Sequence, residues 1–160
     1  MLKGTIERRA SDNKYLHRDF HCALDQGLAY LGAKYGGAAV DEYLGGFAAS
    51  YYAPLISEAK ARGLPALRAH IAGQYAAEGA PEAVSFAGAE GELKVSVSAC
   101  PAVSYMRGAG HAPSKWYAKA TSAVFKAVAD GIGIGFALDY YDEGSGAAEY
   151  RFFALGEERL

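Results

Sequence analysis

The spacing of apolar residues changes once along this chain, near residue 80, and that change limits the folds open to it. Before it, apolar residues recur at helical intervals. Leu16, Phe20, Leu24, Leu28 and Leu31 mark a first helix, capped by Ser11-Asp12-Asn13 and running to about Lys34. Val40, Leu44, Phe47, Tyr51 and Leu55 mark a second, from about Ala38 to Ala61, which Pro54 should kink or end locally. A third begins near Pro65, a favoured first-turn place for proline, and runs to about Glu78.

After Gly79-Ala80-Pro81 the interval becomes two. Ala83 to Ala87 and Leu93 to Ala99 read as strands joined in a hairpin. Cys100-Pro101 should end or bulge the second, because proline cannot donate to the ladder. Met106 to Pro113 reads as a loop, and Ser114 as the cap of a fourth helix from Lys115 to about Ala129. Ile134, Phe136, Leu138 and Tyr140 alternate on a third strand, Asp142 to Gly146 makes a turn, and Ala148 to Leu155 is the fourth strand. The expected class is therefore α+β: a three-helix N-terminal segment followed by ββαββ, with a four-stranded antiparallel sheet. At 160 residues the chain is expected to be one domain. It divides into an arm (1–10), a helical half (11–80), a sheet half (81–155) and a tail (156–160). Gly131, Gly133 and Gly135 precede a strand rather than open a helix, which excludes a dinucleotide fingerprint.

Charge narrows the partners. The net charge is −2 and the basic residues are scattered, which argues against nucleic acid or an anionic membrane surface. No apolar run reaches the roughly 20 residues that span a bilayer. The polar stretch from Met1 to Ser11 lacks a signal-peptide core, and two cysteines, Cys22 and Cys100, make no disulfide framework. A cytoplasmic protein with reduced thiols is the expectation. The 12 tyrosines suit ordinary packing, and equally a polar-lined ligand cavity.

Several residues could carry chemistry. On a helical wheel with Leu16 at zero, His17 falls at about 100° and His21 at about 140°, one turn apart toward the apolar face. That spacing fits two core histidines, an acid–base or substrate contact, or an i, i+4 metal pair, with zinc as the candidate ion. The glutamate of the H-E-x-x-H protease motif is missing. Cys100 stands at a strand end before a glycine-rich loop and is either a nucleophile or an inert thiol. Glu78 falls near the face of Leu67, Ile71 and Tyr75, either paired there or reaching solvent from the last turn. His70 lies off that stripe and reads as surface. His111 sits in a loop that could close over a site.

Tyr15-Leu16-His17-Arg18-Asp19-Phe20-His21 and Ala99-Cys100-Pro101-Ala102-Val103 together resemble the L-2-amino-thiazoline-4-carboxylic acid hydrolase family. Between them Tyr43-Leu44, Tyr51-Tyr52, Pro54-Leu55, Gly63-Leu64 and Tyr75 to Glu78 fall in the expected order, so the resemblance spans roughly residues 11 to 155. Helices followed by a sheet, with Cys-Pro after the second strand, is also similar to the 4-vinyl reductase and TRAPP-like fold group, which contains small-molecule sensors. The first resemblance implies water-driven opening of a cyclic amidine at a carbon–nitrogen bond. Such chemistry needs a nucleophile (Cys100 or water), a base (His17 or His21) and an acid for the leaving nitrogen (Glu78 or the other histidine). No cofactor, or else zinc, would serve it. The alternative is a non-catalytic small-molecule sensor using Tyr51, Tyr75 and Tyr105 as polar anchors. A third is a structural assembly subunit, known by an exposed apolar patch without a pocket. A homodimer through the helices is compatible with each.

Overall fold

A computed structural model describes residues 19–156. The arm, the Ser11-Asp12-Asn13 cap, Leu16, His17 and the tail after Gly156 lie outside the described residues. The first helix, α1, covers Asp19–Tyr35. The expected long second helix is two: α2 (Gly37–Tyr51) and α3 (Ala53–Arg62), joined at Tyr52. Pro54 stands in the first turn of α3, where a missing N–H removes no helical hydrogen bond. Pro65 does the same for α4 (Leu64–Ala77). A short 3₁₀ turn then leads into β1 (Val84–Ala87) and β2 (Glu92–Val97). Two helices, α5 (Pro101–Gly108) and α6 (Lys119–Ile132), precede β3 (Gly135–Tyr141) and β4 (Ala148–Phe153).

The fold is α+β with one four-stranded antiparallel sheet, in the order β1-β2-β4-β3. Register puts Phe86 beside Val95, Val95 beside Tyr150, and Tyr150 beside Leu138, so one face is apolar across all four strands. That face packs on α3, α4 and α6 through Leu55, Leu67, Ile71 and Val128. Its centre is aromatic. Phe152 is fully buried, with the rings of Phe125 and Phe136 at 5.6 and 5.3 Å. Each such pair adds about 0.5–1.5 kcal/mol beyond its buried area. The opposite face carries Glu92, Lys94, Asp139 and Arg151, with Arg151 Nε 3.0 Å from Asp139. Helices therefore cover only one side of the sheet.

A second apolar cluster joins Leu28 of α1, Val40, Leu44 and Ala48 of α2, Val103 and Met106 of α5, Tyr117, and Val124 of α6. Helix α6 thus faces both clusters. Three expectations need correction here. Residues 101–108 are helical: Pro101, read as a strand stop, is instead a helix start, and Met106 is fully buried rather than in a loop. The next helix begins at Lys119, not Lys115, because the Ser114 hydroxyl closes a turn by accepting the Trp116 N–H (3.3 Å). Phe20, Phe47 and Tyr51, placed on the apolar stripes, are exposed, and Ala48 takes the buried place on α2. Among the described residues no helix is long and apolar enough to cross a membrane.

Gly32 of α1 lies flat against the ring of Trp116, the single tryptophan, and a β-carbon there would enter that ring. Gly32→Ala should expel the indole despite the better helix propensity of alanine, at a net cost of about 1–2 kcal/mol. Tryptophan emission and urea unfolding check this. Unchanged emission with raised stability would mean that the ring gives way freely.

Candidate functional site

Cys100 caps the N-terminus of α5 and is held from both sides. Its N–H donates to Ser145 O in the β3–β4 turn (2.9 Å), and its carbonyl accepts the Ser104 N–H (2.9 Å). Asp142 shapes that turn, accepting the Ser145 N–H (2.7 Å) and hydroxyl (2.6 Å), which hold its carboxyl below the usual range. Gly146 follows at φ 68°. A side chain there would be strained and would also strike Cys100 and Val103, so only glycine lets the turn close over the cysteine.

The thiol is largely buried, and burial pushes its pKa up. The N–H groups of Val103 and Ala102 pull it back down in part, though they form no capping bond, and the Glu78 carboxylate raises it again. Around it stand four tyrosines from four places in the fold: Tyr75 of α4, Tyr117 ahead of α6, Tyr141 ending β3, and Tyr150 of β4. Each feels the charge of Cys100, and burial raises all four phenols far above their ordinary value. They are therefore neutral hydrogen-bonding groups at any physiological pH. Tyr75, Tyr141 and Tyr150 belong to the sheet-side cluster, Tyr117 and Cys100 to the α1–α2–α5 cluster, so this polar group sits where the two apolar clusters meet.

Beside it lies a cavity of about 390 Å³, walled by Glu78, Glu82, Ser98, Ser104, Tyr105 and the residues flanking the cysteine, Ala99 and Pro101. Glu78, the C-cap of α4, is half-buried and meets His21 Nε2 of α1 at 3.2 Å. When Nε2 donates to that carboxylate, Nδ1 remains as the basic atom of the ring. So Cys100, Glu78 and His21, together with Tyr75 and Tyr105, gather around one region.

The other expected residues lie elsewhere. Tyr51 is exposed and stacks on Phe47 (ring centroids 5.1 Å), outside the cavity wall. His70 is half-buried rather than on the surface; Nε2 has no hydrogen-bond partner among the described residues, the ring meets the Tyr52 ring edge-on at 5.5 Å, and burial lowers its pKa. His111 is not a free lid. Its Nε2 is 2.7 Å from Asp25, a fully buried carboxylate of α1 that also accepts the Ser114 hydroxyl (2.7 Å) and N–H (3.0 Å). That network ties the segment before α6 to α1. His17 lies outside the described residues, so the His17–His21 pair has no geometry here. Among the described residues no three His, Cys, Asp or Glu side chains come together as a metal-binding set.

Sequence reading passed over Asp25, Tyr117 and Tyr141. Asp25 follows His21 by one turn and precedes the buried Leu28 by three residues, which was the available signal. Comparison with family models, curated proteins and solved structures finds no match to the chain.

Proposed function

We propose that the protein is a small hydrolase that opens a cyclic amidine or a related non-peptide C–N bond, with Cys100 as nucleophile and His21, oriented by Glu78, as acid and base. The observation carrying this reading is that Glu78 lines a polar-walled cavity whose wall includes Ala99 and Pro101, the two neighbours of Cys100, while the same carboxylate meets His21 at 3.2 Å and acts on the Cys100 thiol. A buried thiol needs a base to react, and a carboxylate-held imidazole is such a base.

The steps balance. His21 Nδ1 takes the thiol proton as sulfur bonds the amidine carbon, and the C=N electron pair moves onto the ring nitrogen. The imidazolium, steadied by Glu78, returns the proton to that nitrogen; a second proton passes to it from the exocyclic amino group by way of the imidazole as the C–N bond breaks, the ring nitrogen leaves as an amine, and a C=N–H bond forms on the sulfur-bound carbon. Water then adds to the sulfur-bound carbon, the C–S bond breaks, and the product leaves as a carbonyl compound with the thiol restored. The phenols of Tyr75, Tyr117 and Tyr141 remain neutral throughout and can hold charge developing near the sulfur.

The test is hydrolysis of 2-amino-2-thiazoline and of its 4-carboxylate by wild type, Cys100→Ala and His21→Ala, followed by mass spectrometry of product and protein. Cys100→Ala should lose activity by about 10³-fold or more, and His21→Ala by about 10²–10⁴-fold. Folded wild type that turns over no cyclic amidine, or Cys100→Ala within threefold of it (a margin of about 0.6 kcal/mol), would sink the hydrolase reading.

A further inference from the structure

We propose that the cavity beside Cys100 selects a cationic ligand, an amidinium or guanidinium bearing no carboxylate of its own. As a statement about substrate this rests on the hydrolase reading; as a binding preference it stands alone.

The cavity wall presents two carboxylates, Glu78 and Glu82, and three hydroxyls, Ser98, Ser104 and Tyr105. Among its described residues there is no lysine or arginine. Planar N–H groups of an amidinium match carboxylate and hydroxyl acceptors, whereas a carboxylate ligand would meet like charge. The deeper surroundings agree. The charged side chains acting on Cys100, Tyr75, Tyr117 and Tyr141 are Glu78, Asp25, Asp142 and Glu143, every one acidic.

Among the described residues the positive groups nearby have other uses, His21 being held on the Glu78 carboxylate at 3.2 Å. Arg107 stands in the last turn of α5, away from the Cys100 end, and donates to Glu143 O (3.1 Å). The N-terminus of α5 is the other place where an anion could bind. There Pro101 has no N–H, those of Ala102 and Val103 act on the cysteine sulfur, and that of Ser104 bonds Cys100 O. A volume of about 390 Å³ suits a small ring rather than a peptide.

Calorimetry of the full chain at neutral pH tests this, in wild type and in Cys100→Ala, with three probes: 2-amino-2-thiazoline, the same ring carrying a 4-carboxylate, and benzamidine. The two simple cations should bind about tenfold tighter than the carboxylate-bearing ring, or more. Glu82→Gln, an exposed change that leaves the His21–Glu78 pair intact, should weaken the cations roughly threefold and leave the carboxylate-bearing ring unchanged or improved. Equal or tighter binding of the carboxylate-bearing ring overturns the proposal, and so does binding of none of the probes. Preferential cation binding without Cys100-dependent turnover keeps the preference and removes the hydrolase reading. Cys100-dependent turnover favouring the carboxylate-bearing ring does the reverse.

Discussion

Asp25→Ala should destabilise the protein by about 3–5 kcal/mol, a large share of a typical domain's 5–15 kcal/mol. The carboxylate is 1% exposed and accepts from three groups: the Ser114 N–H, the Ser114 hydroxyl and His111. Removing it leaves all three without their partner and opens a void in the buried interior. It also releases the segment that leads from α5 to Tyr117 and α6, which touches the site. Asp25→Asn keeps the shape and one acceptor, and should recover more than half of the loss. Urea unfolding of the two variants, with Ser114→Ala alone and in combination, measures the coupling. A loss below about 1 kcal/mol in Asp25→Ala would show that the network is replaced by water at little cost.

The chain announces its fold through residues that do one job. Leu67 and Ile71 on α4 and Leu93, Val95 and Val97 on β2 are spaced for burial and are buried. The change of interval near residue 80 therefore separated the opening helices from the first two strands correctly. Prolines were harder because one residue has two uses. Pro54 ended a helix by starting another, and Pro101 started one where a strand stop was expected. The distinction depends on what lies beyond, and residues 101–108 are too short for periodicity to decide. Aromatic residues misled in the opposite way. Phe47 and Tyr51 stand four residues apart on α2, yet both are exposed, while small Ala48 packs inside. Close helix approach favours small side chains, and a wheel that weights size cannot see this.

The candidate site was legible as a set of pieces. His21, Glu78 and Cys100 were each marked by an unusual chemical position, and the fold brings them to one region. Asp25, Tyr117 and Tyr141 were not, because their role is fixed by contacts with residues far away in sequence. Asp25 meets Ser114 across 89 positions, and only tertiary structure supplies that information. The same limit governs the tyrosines. Which of 12 would surround the cysteine depended on the sheet register and on the turn that Gly146 allows.

Those tyrosines carry the second large prediction, which concerns alkali. A phenol in an unfolded chain ionises near pH 10. In the folded protein burial holds Tyr75, Tyr117 and Tyr150 protonated well above that, with Tyr141 and the Cys100 thiol shifted in the same direction. Between the unfolded and folded values the native state keeps protons that the unfolded state has lost, so unfolding becomes more favourable as pH rises. The contribution of the phenols is complete below about pH 10 and disappears through the range above it, while that of the thiol begins to fall from about pH 8.5. At pH 11 each of these phenols contributes roughly 1.4 kcal/mol of lost stability, about 4 kcal/mol for Tyr75, Tyr117 and Tyr150 together. Urea midpoints should therefore hold steady from pH 7 to about 8, slip slightly as the unfolded thiol ionises, and fall steeply beyond 10, with a step in tyrosinate absorbance that coincides with loss of circular dichroism. Replacing the three by phenylalanine should flatten that fall even if it lowers stability at pH 7, since only the titration is removed. A triple variant that falls as steeply as wild type would place the alkaline loss in other groups, and tyrosinate forming fully while the fold persists would mean that these phenols are open to water.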